Sequence, residues 1–199
     1  MGPDFTREAR HGGRVAGVDE AGRGPLAGPV VAAAVVLDRH CVPDGLNDSK
    51  QLSAKRRAEL HARLLDCATV GVGIASVEEI DRLNILWATM LAMERAVDVL
   101  GMACGMVLVD GNRCPNWSHP SVAVVGGDAI SLSIAAASIV AKQTRDAMMI
   151  EADGLHPGYG WASNKGYGAK VHLEALRVLG PTPLHRRSFA PVAQACLAL

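Results

Sequence analysis

Aromatic residues are scarce in this chain, at 4% of 199 residues, although 49% of the sequence is hydrophobic. Ala, Val, Leu and Ile must therefore build the core, and their clustering predicts buried parallel strands under covering helices, the α/β class. The five cysteines, Cys41, Cys67, Cys104, Cys114 and Cys196, include no C-x-x-C pair. An odd set without that spacing excludes a disulfide framework and a structural zinc site, and fits a reducing compartment. Long apolar runs are absent too. Leu26 to Leu37 spans 12 residues, where a membrane crossing needs about 20, and the N-terminus has no signal-peptide core. These absences predict a soluble, cytoplasmic protein with no membrane association. Excess charge of one sign is also missing, with 20 basic and 20 acidic residues, so net charge alone does not mark a nucleic-acid binder. Its distribution says more: from His156 onward, Lys165, Lys170, Arg177, Arg186 and Arg187 face Glu174 alone, which is either a phosphate-binding face or a merely polarised surface.

No repeat, low-complexity tract or linker divides the chain, so one domain over residues 1–199 is expected, with a core over roughly 14–153 and a C-terminal portion over 154–199. Val15 to Val18 and Val30 to Leu37 read as neighbouring strands around the glycine-rich segment Glu20 to Gly28. Ser53 can cap a helix over Ala54 to Leu65, and Ala68 to Ala75 alternates like a strand. Leu86 to Leu100 has helical spacing and stops at Gly101; Met106 to Val109 and Val122 to Val125 read as short strands. Ser131 to Ile150 contains neither Gly nor Pro and predicts a long helix, and a last helix is expected over Lys170 to Leu179.

The informative pattern is where acids fall. Asp19 and Glu20 follow the first apolar strand, Asp110 ends a later one, and Asp128 follows the last. Ligands of open α/β sheets bind outside the carboxyl ends of strands, so these four can meet at one site. Like charges gathered there need cations to neutralise them. Carboxylates without His or Cys partners suit Mg²⁺ or Mn²⁺ and phosphodiester hydrolysis, with one ion activating water and a second stabilising the leaving 3′ oxygen. Adjacent strand residues face opposite ways, so the strand is expected to end or bend at Asp19 and Glu20, as Gly22 permits. Any single one of these acids also reads as an ordinary solvated loop residue.

Gly22-Arg23-Gly24 through Gly28 comes near a dinucleotide-binding fingerprint, but Pro29 and the valine run after it form a strand where that motif requires a helix, and no G-K-S/T phosphate loop exists. The glycines fit close backbone approach to a sugar, or a plain turn. Lys50 in Asn47-Asp48-Ser49-Lys50, Lys142 and Arg145 on the long helix, and Lys165 are candidates for phosphates, and Tyr167 for a sugar or base face. Each equally suits a solvated or packed side chain. Trp117, His119 and Pro120 read as loop packing, and His156, His172 and His185 lack metal-ligand spacing and read as structural.

Taken together, Gly17-Val-Asp-Glu-Ala-Gly-Arg-Gly-Pro-Leu-Ala-Gly-Pro-Val, Asn47-Asp-Ser-Lys, Val109-Asp-Gly, Gly127-Asp-Ala, Ala135-Ala-Ala-Ser-Ile-Val-Ala-Lys and Lys165-Gly-Tyr-Gly resemble the signatures of the bacterial ribonuclease HII family, in order and spacing, from about Val15 to Val192. The resemblance implies a ribonuclease H-like α/β fold, a mixed central sheet flanked by helices, and a mainly helical C-terminal portion closing over the substrate. It implies cleavage of the RNA strand of RNA/DNA hybrids, and of duplex DNA 5′ of embedded ribonucleotides, leaving 3′-hydroxyl and 5′-phosphate ends. Asp19, Glu20, Asp110 and Asp128 would hold two Mg²⁺ or Mn²⁺ ions. Gly22, Arg23 and Gly24 would sense the ribose 2′-hydroxyl, Tyr167 would rest on the sugar at the junction, and Asn47, Ser49, Lys50, Lys142 and Lys165 would contact nucleic acid.

Asn164 and Ala169 stand where the family pattern has His and Thr, which bears on how Tyr167 is held. Gln143 takes a usually aliphatic position, expected to be at the surface. A DNA-directed nuclease or resolvase and a non-catalytic hybrid-binding protein are the competing readings. A monomer is expected, and a replication or transcription partner is not readable from sequence.

Overall fold

The computed structural model describes residues 2–197. Five strands form one mixed sheet in the order β3-β2-β1-β4-β5. β1 (Val15–Ala21) and β2 (Val30–Leu37) are antiparallel, β3 (Ala68–Ala75) is antiparallel to β2, and β4 (Met106–Asp110) and β5 (Ser121–Val124) run parallel to β1. The carboxyl ends of β1, β4 and β5 therefore share one edge of the molecule.

The apolar runs that mark β1 and β2 are continuous because both faces are covered. α2 (Val77–Val99) packs Ala88, Ala92, Met93 and Ala96 against Ala16, Val18, Val30, Ala32 and Ala34. On the other face, α1 (Ala54–Cys67) and α3 (Leu132–Leu155) bring Leu60, Leu64, Ala136, Ile139 and Val140 against Ala33 and Val35. Period-two alternation along β2 thus feeds two cores at once. The small residues explain how a core short of aromatics is filled: helix backbones come close to the sheet. A Cβ on Gly17 would lie 2.1 Å from the Ser133 carbonyl carbon, and one on Gly73 2.0 Å from the Ala92 carbonyl oxygen.

Three helices start on side-chain caps, α3 on Ser131, whose Oγ accepts from Ile134 N. Ser53 Oγ accepts from Arg56 N for α1, and Ser76 with Glu79 forms a reciprocal capping box for α2. α2 begins well before the predicted Leu86 and is interrupted at Asn84 (φ 65°), whose Oδ1 accepts from Leu86 N and Trp87 N and restarts the helix. β1 does not end at its acids, contrary to expectation: pairing to β2 continues through Ala21↔Val31. The pairing overrides the local preference to turn, and the chain bends only at Gly22 (φ 98°).

After α3 the chain is mainly helical, with α4 (Trp161–Asn164), α5 (Lys170–Leu179) and α6 (Ala190–Leu197). Tyr159, Trp161 and Ala175 bury themselves with Ala27, Met149 and Ala152, which fastens this portion to α3 and to the loop between β1 and β2. Among the described residues no helix is long and apolar enough to cross a membrane.

Candidate active site

Where β4 stops at Asp110, the end of β1 continues beside an open cleft of about 290 Å³, lined by Asp19, Glu20 and Asp110, by Gly22, Arg23 and Gly24, by Ser49 and Lys50, and by Lys142, Arg145 and Tyr167. Asp19 and Glu20 leave β1 on opposite faces of the sheet and meet the cleft from both sides. Asp128 lies in the 3-10 turn Gly127–Ala129 after β5 and joins through Lys50, whose Nζ is 3.3 Å from Asp128 Oδ2. A larger cavity of about 570 Å³ at the other end of β1 holds Arg14, Arg39 and the buried Glu8, but Glu8 Oε1 is already taken up by the Ser131 and Ser133 hydroxyls.

Asp19, Glu20 and Asp110 line the cleft and Asp128 adjoins it through Lys50, without closing on one point; among the described residues no three His, Cys, Asp or Glu side chains are gathered ready to hold a metal ion. Each carboxylate instead has a protein donor on one oxygen. Asp19 Oδ1 accepts from Glu20 N at 2.7 Å, Glu20 Oε1 from Arg23 Nη1 at 3.3 Å, Asp110 Oδ1 from Gly127 N at 2.7 Å, and Asp128 Oδ2 from Lys50 Nζ at 3.3 Å. Repulsion between uncompensated charges accounts for the spreading. Burial, then the neighbouring Glu20 and Asp110 charges, push the Asp19 carboxyl well above the usual carboxylate range. Burial also raises Glu20 and Asp110, against the pull of Arg23 on the first and of the Gly127 N–H on the second. For Lys50, desolvation opposes the charge, yet Asp128 and Asp48 outweigh it and hold the ammonium above its ordinary value.

Of the predicted nucleic-acid residues, Gly22, Arg23, Gly24, Ser49, Lys50, Lys142 and Tyr167 line the cleft. Ser49 is fixed by donating its N–H to Ser138 Oγ and accepting from Arg57 Nη1. Lys142 pairs with Asp146 at 2.7 Å. Tyr167 is 48% exposed, and its Cε1 would be 3.5 Å from a Cβ on Gly24, so the ring edge stands over the glycine loop. Asn47 and Lys165 are not on the wall: Asn47 Oδ1 caps Asp48 N, and the Lys165 ammonium turns to the Ala162 carbonyl.

Two basic residues are misplaced by sequence reasoning. Arg145, expected at phosphates, is 1% exposed, and Arg186, counted in the basic tail, is fully buried. Their hydrogen bonds go to backbone carbonyls: Arg145 to Ala27, Pro29 and Lys165, Arg186 to Gly22, Arg23, Gly28 and Pro29. Burial lowers Arg145 to about 10, and burial with repulsion from Arg145 lowers Arg186 to about 9, so both stay charged at neutral pH.

The turn before Tyr167 is held by Asn164, whose Nδ2 donates to the Tyr159 carbonyl and whose Oδ1 accepts from Gly166 N. Ala169, by contrast, caps α5 with no side-chain bond. The histidines are structural, as expected, and they reach this turn. Thr182 N donates to His185 Nδ1, leaving the His185 proton on Nε2, 3.0 Å from His172 Nε2, which also accepts from Trp161 Nε1 at 3.1 Å; His172 Nδ1 then donates to the Tyr167 carbonyl at 2.8 Å.

The ribonuclease HII family profile matches residues 16–192. The chain belongs to the ribonuclease HII family. A ribonuclease HII from Rhizorhabdus wittichii is 68% identical over 193 residues, covering 97% of this chain and 96% of that one. Another from Parvibaculum lavamentivorans is 61% identical, covering 96% of this chain and 72% of its own length. The crystal structure of ribonuclease H2 from Pyrococcus horikoshii is similar with a TM-score of 0.73 at 28% identity, covering 92% of this chain and 97% of that one. Membership makes this chain a ribonuclease H, an endonucleolytic hydrolase, with the ribonuclease H-like mixed sheet described above.

Proposed function

We propose that this chain cuts the RNA strand of RNA/DNA hybrids and cuts duplex DNA on the 5′ side of an embedded ribonucleotide, leaving 3′-hydroxyl and 5′-phosphate ends. The observation that carries the reading is the meeting, at one cleft of a ribonuclease HII chain, of three carboxylates, and of a fourth held to the cleft by Lys50, with a glycine loop and an exposed tyrosine.

Asp19, Glu20, Asp110 and Asp128 would hold two divalent cations, Mg²⁺ or Mn²⁺. The donor set fits: it is all carboxylate oxygen, one oxygen of each acid is outside the bonds given above, and Asp19 is both buried and faced by the Glu20 and Asp110 charges, which cations would offset. When bound, such ions ease deprotonation of the attacking water and offset charge on the leaving 3′ oxygen. The remaining work falls to the chain. The amides of Gly22 to Gly24 approach the 2′-hydroxyl, which alone separates ribose from deoxyribose. Tyr167 supplies a flat face over the sugar, opposite Gly24. Lys50 and Lys142 take flanking phosphates, with Asn47 and Ser49 fixing the loop that carries Lys50. Lys165 reaches a more distant phosphate by releasing Ala162.

We further infer one catalytic domain, acting as a monomer in the cytoplasm. The absence of disulfides among five free cysteines supports a reducing location.

The test is cleavage of a labelled DNA duplex with one ribonucleotide, with Mg²⁺ or Mn²⁺, beside the all-DNA duplex, an RNA/DNA hybrid and a metal-free control. Metal-dependent cutting 5′ of the ribonucleotide, with the all-DNA duplex intact, is expected. Cutting of all-DNA would replace the reading with a DNA-directed nuclease, and binding without any cutting would leave a hybrid-binding protein.

A further inference from the structure

The two buried arginines sit directly beneath the glycine loop, and their bonds fix which way that loop faces. In a planar trans peptide the carbonyl and the following N–H point in opposite directions. Arg186 draws inward the carbonyls of Gly22 (2.5 Å) and Arg23 (2.9 Å), together with those of Gly28 and Pro29. The N–H groups of Arg23 and Gly24 are thereby turned outward. Arg145 spans two segments. Its Nε and Nη2 donate to the Pro29 and Ala27 carbonyls, each at 3.0 Å, and its Nη1 donates at 2.9 Å to the Lys165 carbonyl, two residues before Tyr167. One rigid guanidinium thus ties the loop that follows the glycines to the turn that carries the tyrosine, beside a backbone tie from Leu26 N to Gly166 O at 2.8 Å. The fit is close: a Cβ on Gly22 would lie 1.9 Å from Arg145 Nε, and one on Gly166 2.6 Å from the Ala27 carbonyl oxygen.

We propose that Arg186 and Arg145 are the positioning residues for ribose recognition, Arg186 by aiming the Arg23 and Gly24 amides into the cleft and Arg145 by setting the gap between that loop and Tyr167. The proposal rests on the reading that the glycine loop and Tyr167 bracket the ribose. Both guanidiniums spend their hydrogen bonds on backbone carbonyls, so each acts through the segments it holds. Lysine cannot replace either one, because an ammonium is a point donor and cannot hold several carbonyls from separate segments in one plane.

Single-turnover cleavage with saturating folded enzyme gives a rate constant that does not depend on how much protein has unfolded, so it separates positioning from lost stability. Two substrates are compared, a duplex with one ribonucleotide and a uniform RNA/DNA hybrid, which lacks the junction at which Tyr167 acts. Arg145→Lys is expected to slow the single-ribonucleotide duplex on the order of tenfold or more and the hybrid less than about threefold. Arg186→Lys, which frees the amides that meet every 2′-hydroxyl, is expected to slow both on the order of tenfold or more. In a Tyr167→Ala background, Arg145→Lys should add less than about threefold while Arg186→Lys keeps its effect, since only the first acts through the ring. Equal slowing of both substrates by Arg145→Lys, full additivity with Tyr167→Ala, or wild-type rate constants in the lysine variants would overturn the proposal. Should Arg145→Lys melt below the assay temperature, Gly166→Ala takes its place; its Cβ wedges the same two segments apart and must give the same substrate-selective loss. A Tyr167→Ala enzyme as fast as wild type on the single-ribonucleotide duplex instead sinks the bracket reading, whatever the arginines do.

Discussion

The histidine relay behind Tyr167 makes the C-terminal portion sensitive to acid. His185 is 1% exposed; burial first, then the neighbouring His172 and His156, lower its pKa from 6.5 to about 4, although the Thr182 amide bond works in the opposite direction. Tyr159, Trp161 and His172 pack edge-on or tilted around the ring, and Thr182 N donates to Nδ1, so a second ring proton must displace that amide bond and turn to Thr182 Oγ1, 3.0 Å away. With the folded pKa below the unfolded one, the unfolded state takes the proton first. The contribution of neutral His185 is therefore fully present above about pH 6.5 and is lost as the pH falls toward 4. That shift corresponds to about 3 kcal/mol in total, of which about 2 kcal/mol is gone at pH 5.

Urea unfolding of wild type and His185→Asn at pH 7 and pH 5, without divalent cations, measures the effect. Asn keeps an acceptor for the Thr182 amide but does not titrate. The carboxylates of the cleft titrate in both proteins and cancel in the difference. The stability gap between wild type and variant should shrink by about 2 kcal/mol between the two pH values. A gap that stays constant would refute a buried, neutral His185.

Asp19→Asn should abolish cleavage and leave the metal-free protein as stable as wild type or more so, because it removes a buried charge facing Glu20 and Asp110; residual cutting near the wild-type rate would remove Asp19 from the catalytic set. Ala169→Thr should add about 1 kcal/mol by giving α5 the side-chain cap it lacks, read as a higher melting temperature with no change in helix content. In the absence of metal, Asp128→Asn should bind hybrid more tightly than wild type with a salt slope steeper by about one, because it releases Lys50 to a phosphate; an unchanged slope, or a gain that survives Lys50→Met, would show that Lys50 does not make that contact.

The parts of the fold that were legible in sequence are those decided locally. The Val and Ala runs of β1 and β2 are strands because both faces are covered, and the boundaries of α5 follow its apolar spacing. The first turns of α2 were missed although Ser76 and Glu79 carry a capping-box signal three residues apart; the Asn84 interruption hid the continuity. That Asp19, Glu20 and Asp110 come to one cleft was legible because strand ends and the topology of a sheet dictate where they go. That β1 runs on through Asp19 and Glu20 was not, since pairing with Ala33 and Ala32 decides it. Arg145 and Arg186 were illegible for the same kind of reason: a guanidinium is buried only where carbonyls converge, and Arg186 takes its partners from Gly22 to Pro29, more than 150 residues earlier.

Those two residues also change what zero net charge means here. A protein proposed to bind phosphates with as many acids as bases is ill suited to that ligand only if charges are averaged over the surface. In this chain the acids of the cleft stand beside a glycine loop, and two buried guanidiniums are hydrogen-bonded to the carbonyls of that loop and its neighbours. Positive charge under the loop favours an anion above it, and it does so in a partly dehydrated setting where the interaction is screened less by salt than that of an exposed lysine. Lys50 and Lys142, which do face the cleft, are held by aspartates, Lys50 by Asp128 and Asp48 and Lys142 by Asp146. Their attraction for a phosphate backbone is therefore conditional on what else neutralises those acids, whereas the attraction of the buried pair is permanent. On the reading proposed above, affinity and discrimination reside in different charges: the lysines would govern the salt dependence, and the buried arginines would hold the loop proposed to tell ribose from deoxyribose.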